Sequence, residues 1–262
     1  MRSTFQTAAV VLVASAISPA AILTQPAERA FETYITTVET GVSRTPRTNA
    51  DRELLAGKVR VDPVHGGTWQ VSGGRLHHWR AAAMVPAASA KEMLALLRDY
   101  NHLVRYYTPE VVSSRALTVR GEEATIAMRF RKQRVITVVL DAEFDTQSAL
   151  AGAGRGYSIS RSTHIWQIDQ PGSAQERRRM EGNDDGFLWR LNSYWKFEET
   201  REGLFIECEA VSLTRDVPAG LGWLITPIIQ AVSRASLEFT LTATMHALTT
   251  NAMTRHDDDL PR

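Results

Sequence analysis

The stretch that decides the fold is GFLWRLNSYWKFEETREGLFIECEAVSL, residues 186–213, in which apolar and polar side chains alternate on both sides of a short turn. Alternation with a period of two predicts two β-strands, and Arg201 to Gly203 supplies a hairpin turn between them. We expect Glu199 to face Leu204, because that register gathers the large apolar side chains on one face. This face then contains Trp189, Leu191, Trp195, Phe197, Ile206, Cys208 and Ala210.

The opposite face of this hairpin is predicted to be polar. It receives Lys196 opposite Glu207 as an opposite-charge pair, together with Arg190, Glu198 and Glu209. A slip of one residue would place Glu207 and Glu209 among the tryptophans, where the desolvation of unpaired carboxylates is costly. The sequence therefore favours the first register.

A second hairpin, around residues 132–134, has the same character. Ile126, Met128 and Phe130 can face Ile136, Val138 and Leu140 across an apolar side. Ser89 followed by Glu92 has the form of a capping box and predicts a short helix before this region. Strands are predicted at 59–61, 69–71, 76–85, 110–119, 123–131, 135–146, 157–168, 176–181, 187–199 and 204–215, joined by turn-rich segments that favour an antiparallel meander.

A sheet with one apolar face needs a cover, and the C-terminal sequence provides one. Apolar residues recur at helical spacing from Leu221 to Leu248, and Pro227 must start or kink a helix there. We therefore predict an α+β fold, in which a curved antiparallel sheet of about seven strands is closed by a long, bent C-terminal helix.

The termini carry separate signals. Residues 1–21 have the positive start, apolar run and small residues of a cleaved secretory signal, although a membrane anchor is the alternative. Residues 22–57 are predicted to form a helix at about 26–43 and a linker, residues 58–250 the main domain, and residues 251–262 a disordered tail. We expect an exported protein that is soluble after signal cleavage.

Composition excludes several classes of function. The chain has 30 basic and 29 acidic residues, a net charge of +1, which argues against a nucleic-acid partner. Its single cysteine, Cys208, rules out an internal disulfide. His77 and His78 are adjacent on a strand and point to opposite faces, so they do not form a metal pair. We predict no metal and no cofactor.

Three stretches resemble the START-like superfamily, also called SRPBCC: Asp99-Tyr100 through Tyr106-Tyr107-Thr-Pro-Glu-Val, residues 186–197, and residues 207–218 followed by Gly220-Leu-Gly-Trp. They look most like a poorly characterised exported bacterial branch. The resemblance covers about residues 74–250. It implies the helix-grip fold, and relatives that include lipid transfer domains and polyketide cyclases.

The function expected on these grounds is the binding or transport of an apolar or amphipathic small molecule, such as a lipid, isoprenoid or polyketide-like compound. The ligand would lie between the sheet and the C-terminal helix, in a monomer that makes transient membrane contact. The predicted ligand-binding residues comprise an apolar wall and an entrance: Met128, Leu140, Trp189, Trp195, Phe197, Ile228, Val232, Arg105, Tyr106 and Tyr107.

Two alternatives remain open. A cyclase or aromatase would use the same cavity and would need an inward-facing ionisable residue, for which His164 and Arg190 are the candidates. A protein-interaction module would instead have a filled interior and an exposed apolar patch.

Overall fold

Antiparallel pairing organises the structure, a computed structural model in which residues 21–41, 52–133, 137–216 and 233–250 are described. The long strands are β2 (Arg60–Val71), β3 (Gly74–Val85), β4 (Val111–Arg120), β5 (Glu123–Gln133), β6 (Thr137–Leu150), β7 (Arg155–Asp169), β10 (Arg190–Glu199) and β11 (Leu204–Thr214). Two-residue strands are β1 (Ala21–Ile22), β8 (Arg177–Arg178) and β9 (Asn183–Asp184).

The long strands form one curved sheet in the order β2-β3-β11-β10-β7-β6-β5-β4, and β8 pairs with β7. This differs from a simple meander, because the last strand β11 returns to pair with the early strand β3. The predicted strand at 176–181 shrinks to the two residues of β8, and β9 pairs instead with β1.

The helices are α1 (Gln25–Gly41), α2 (Arg52–Leu55), α3 (Ala90–Arg98), α4 (Leu103–Tyr107) and α5 (residues 233–250). The predicted capping box is present at α3, where Ser89 accepts from the Glu92 backbone N–H and the Glu92 carboxylate accepts from the Ser89 backbone N–H. Residues 1–20 of the predicted signal, the tail and the bend at Pro227 lie outside the described residues.

The register predicted for the decisive hairpin is confirmed. Trp195 pairs with Cys208, Phe197 with Ile206, Lys196 with Glu207 and Glu199 with Leu204. We call the side of the sheet that carries Trp195 and Phe197 the inner face, and α3, α4 and α5 cover it. The chain thus has the α+β helix-grip architecture expected from its sequence.

The other side of the sheet, the outer face, is not the polar surface expected. Ala27 and Phe31 of α1 are buried there against Leu76, Val211 and other apolar residues. A smaller cluster forms around Leu54 of α2 with Ala82, Met84 and Phe205. The prediction failed because the N-terminal helix carries its own apolar stripe and packs on the sheet, which buries the neighbouring charges.

These buried charges form one network on β3, β10 and β11. Lys196 Nζ lies 3.4 Å from Glu207 and 3.1 Å from Glu209, and His78 Nε2 lies 3.0 Å from Glu209. Burial alone would raise the pKa of Glu209, but the His78 hydrogen bond and the charges of Lys196 and Arg80 lower it below its usual range. Tyr34 of α1 joins through a 2.8 Å hydrogen bond to His78.

Replacing Lys196 tests the weight of this network. Lys196→Met leaves Glu207 and Glu209 buried without their shared cation, and we expect a loss of about 3 kcal/mol in the free energy of unfolding. The matched control is Lys58→Met, because Lys58 pairs with Glu53 at a largely exposed site and should cost less than about 1 kcal/mol. Urea denaturation measures both, and equal losses would contradict the argument.

Candidate functional site

Large apolar side chains occupy the inner face at the end of the sheet that α3 covers. Trp195 and Phe197 are buried in the inner-face cluster, and the Phe197 ring lies over Gly156, where any added Cβ would meet ring carbons at 2.3 and 2.4 Å. Glycine therefore makes room for the ring on the neighbouring strand. These two aromatic residues act mainly as core at this end of the sheet.

A second apolar region lies on β5 and β6. The rings of Phe130 and Phe144 meet edge to face with centroids 6.1 Å apart, and Ile126 and Leu140 are buried beside them. Met128 is partly exposed within the same cluster. This region forms an apolar wall on the inner face of β5 and β6.

Between these regions, one row of paired residues crosses the sheet, and the side chains at its middle are small. Thr146 pairs with Ser160, Ser160 with Ser193, Ser193 with Ala210 and Ala210 with Trp79. Ser160, Ser193 and Ala210 are partly exposed, although they lie at the centre of a covered sheet. We call these five residues the central row. Its three middle members, Ser160, Ser193 and Ala210, have smaller side chains than the aromatic residues of the two flanking regions.

The neighbouring row adds further hydroxyl groups. Ser162 accepts a hydrogen bond of 2.9 Å from the backbone N–H of Leu191, and Ser212 pairs with His77. In the central row, the hydroxyls of Thr146 and Ser160 lie 2.8 Å apart. The hydroxyl groups of these two rows therefore lie between the two apolar regions of the inner face. We call them the hydroxyl band.

His77 is a buried neutral member of this band. Its Nε2 lies 2.9 Å from the hydroxyl of Thr214, which itself donates to the carbonyl of Arg215, so Nε2 carries the proton. Its Nδ1 accepts from Thr68 at 2.9 Å. Burial, reinforced by the charge of Arg75, lowers the pKa of His77 from 6.5 to about 4.

Three polar groups of this region are buried without a hydrogen-bond partner in the described part of the chain. They are the indole N–H of Trp79, the hydroxyl of Tyr100 and the hydroxyl of Ser114. Trp79 and Tyr100 belong to the inner-face cluster, at 8% and 5% exposure, and Ser114 pairs with Met128 of that cluster. Buried polar groups normally make a hydrogen bond, so each of these three groups is able to form one more.

The two tyrosines predicted at the entrance play different structural roles. Tyr107 is buried, and its hydroxyl lies 3.0 Å from that of Thr244, which joins α4 to α5. Burial raises the pKa of Tyr107 far above its usual range. Tyr106 is partly exposed and donates to Asp99 at 2.8 Å, and Asp99 also contacts His102. Arg105 beside them is exposed.

The structure thus brings together most of the predicted binding residues but not all. Met128, Leu140, Trp195, Phe197, Tyr106 and Tyr107 all belong to or pack against the inner-face cluster. Whether they touch a ligand stays a prediction. Ile228 and Val232 lie outside the described residues.

Trp189 was wrongly assigned to the inner face. It precedes β10, its backbone donates to Leu213, and its indole N–H donates to Asp184 at 3.2 Å. Its ring packs with Phe31 in the outer-face cluster. Strict alternation holds only within the regular strand, and the chain has not yet entered β10 at this residue.

The hydroxyl band is the part of the site that sequence reasoning missed. Its signal is the segment Tyr157-Ser-Ile-Ser-Arg-Ser162, in which serines recur with a period of two. In a one-faced sheet the serines would be assigned to solvent. They face inward here because Ile159 packs outward against the cluster that α1 covers.

His164 and Arg190, the candidates for proton transfer in the cyclase alternative, both lie on the outer face. His164 is half exposed, contacts Glu181 and stacks on Trp166. Arg190 pairs with Glu28 of α1 and with Glu181. Neither can reach a ligand between the inner face and α5.

The described ranges contain no cluster of three potential metal ligands. Within the same ranges, no helix combines the length and apolar character that crossing a membrane requires.

The neutral state of His77 makes stability depend on pH. Because the pKa of His77 is lower in the folded protein than the usual 6.5, its contribution is complete above pH 6.5 and is lost as the pH falls to about 4. We expect the free energy of unfolding to decrease by up to about 3 kcal/mol over this window from His77 alone. His77→Gln should flatten the curve there, and parallel curves for the two proteins would contradict the assignment.

No family model matches this chain, and no curated protein sequence does. Solved structures with a similar fold include TTHA0849 from Thermus thermophilus, with 15% identity over 66% of this chain and 97% of the other and a TM-score of 0.47. A STAR-related lipid transfer protein from Xanthomonas axonopodis has 15% identity, coverage of 71% and 99%, and a TM-score of 0.43. The Zhui aromatase/cyclase from Streptomyces sp. R1128 has 12% identity, coverage of 69% and 95%, and a TM-score of 0.44. Likeness at this level says nothing about the ligand, which has to be inferred from the chain's own side chains.

Proposed function

We propose that this protein binds an apolar or amphipathic small molecule between the inner face of the sheet and the C-terminal helix, and that it acts as a carrier or sensor without catalysing a reaction. The observation that carries the proposal is the middle of the central row, where the small, partly exposed side chains of Ser160, Ser193 and Ala210 lie between two regions of buried aromatic residues. A protein that needed only a core would fill such a position with larger side chains.

The surroundings of the central row support an apolar ligand. Phe144 on one side and Trp195 on the other provide ring surfaces, and Leu237 and Leu241 of α5 belong to the same cluster. Apolar clefts with a few polar groups are the usual form of small-molecule sites. The predicted wall residues Met128 and Leu140 belong to or pack against the same inner-face cluster, and a hydrogen bond between Tyr107 and Thr244 joins α4 to α5.

The cyclase alternative has less support. Its two candidate residues lie on the outer face and are engaged with Glu181. His77 on the inner face is held neutral by burial, and hydrogen bonds to Thr68 and Thr214 occupy both its ring nitrogens. The proposal also retains export through residues 1–21, a monomeric state and transient membrane contact during loading.

Extraction of the purified protein tests the proposal directly. We expect organic solvent to release an apolar compound that mass spectrometry detects in stoichiometric amount, because a site of this kind retains its ligand through purification. Protein denatured and renatured before extraction is the control and should release none. A compound-free native protein that also fails to bind a neutral dye such as Nile red would contradict the proposal.

A larger side chain in the middle of the central row provides a second test. Ser193→Phe places a ring in the central row, and we expect the affinity for Nile red to fall by about tenfold or more, since the ring occupies the ligand's volume. Ser113→Phe is the matched control, because Ser113 is exposed on β4. Circular dichroism and cooperative thermal unfolding show that both variants fold. Unchanged dye binding by a folded Ser193→Phe protein would place the ligand elsewhere.

A further inference from the structure

The polar groups of the inner face restrict the chemistry of the ligand, an inference that rests on the proposed function. Ser160, Ser193 and Ala210 of the central row and Ser162 and Ser212 beside it are partly exposed towards the covering helices. Hydroxyl groups both donate and accept hydrogen bonds, so they suit a partner oxygen of either kind.

Acidic side chains, lysine and arginine are absent from the two rows of the inner face that carry these hydroxyl groups. The central row and the neighbouring row, which runs from Ile126 and Phe144 through Ser162 and Ser212 to His77, contain no Asp, Glu, Lys or Arg. The charged residues of the central strands, such as Lys196, Glu207 and Glu209, lie on the outer face and pair with each other.

A ligand with a formal charge would be poorly held on such a surface. A carboxylate or phosphate taken from water onto these two rows would lose its hydration without meeting a Lys or Arg of either row, which costs several kcal/mol. A neutral hydroxyl or carbonyl oxygen loses less and can recover it through one or two hydrogen bonds.

Unpartnered donors point to the same ligand. The indole N–H of Trp79, at the end of the central row, and the hydroxyl of Tyr100, in the helical layer, are both more than nine-tenths buried in the inner-face cluster without a partner among the described residues. One belongs to the sheet and the other to its cover. A donor left unpaired in an apolar cluster is destabilising unless an acceptor arrives.

We propose that the ligand is a neutral apolar molecule carrying hydroxyl or carbonyl oxygens, held by the hydroxyl band and by Trp79, and that fatty-acid anions and phospholipids are poor ligands. Isoprenoid alcohols and aromatic polyketide-like compounds share this chemistry. The size and rigidity of the carbon skeleton distinguish these two sources, so both types enter the test.

Competition against Nile red measures the preference. Dodecanol and dodecanoate have the same chain length, and at pH about 8 the acid is ionised. We expect dodecanol to displace the dye at a concentration about tenfold lower or more. Farnesol and a hydroxyanthraquinone, added in separate arms, show which neutral skeleton is preferred. Dodecanoate competing as well as dodecanol would overturn the inference while leaving the proposed function intact.

Trp79→Phe isolates the donor. This change keeps an aromatic ring but removes the N–H, and we expect the concentration of dodecanol needed to displace the dye to rise about threefold after correction for the variant's own measured affinity for Nile red. Trp166→Phe on the outer face is the matched control and should change neither value. Equal behaviour of the two variants towards dodecanol would overturn the role of Trp79. Failure of the unmodified protein to bind Nile red or any neutral competitor would overturn the proposed function and this inference together.

Discussion

The structure depends on the ion pairs that two buried carboxylates of β11 make with neighbouring basic side chains. Glu207 and Glu209 lie at 3% and 4% exposure, and they are tolerated there only because Lys196, Arg80 and His78 surround them. A shift of β11 by one residue would turn both carboxylates towards Trp195 and leave the cations alone. These ion pairs therefore specify which side chains of β11 face inward, and in this way they determine the composition of the inner face.

The part of the fold that follows from alternation could be predicted from the sequence. The register of β10 on β11, the inward direction of Trp195 and Phe197, and the capping box of α3 all rest on interactions between residues close in the chain. The packing of α1 on the outer face could not be derived, because it joins residues such as Phe31 and Val211 that lie far apart. That single unknown also explains the wrong assignment of Trp189 and the expectation of a solvated outer face.

The same unknown limited the prediction of the site. Apolar wall residues such as Met128 and Leu140 are recognisable by their hydrophobicity, whereas Ser160 and Ser162 resemble solvent-facing residues until the outer face is known to be covered. In β7 the usual polarity is reversed, with Ile159 outward and the serines inward. Polar residues at the interior of a sheet are costly for stability, and their presence in a chain that could have used valine there favours a role in recognition.

The burial of both sides of the sheet also has a mechanical consequence. Strands β3, β10 and β11 lie between two apolar clusters and share an ionic network, so their curvature is held from both sides. Among the described residues, the inner-face helices pack on the sheet from one side, and a hydrogen bond between Tyr107 and Thr244 links α4 to α5. The sheet is therefore the stiffer of the two layers, so a change in the spacing between them would move the helices and leave the sheet in place.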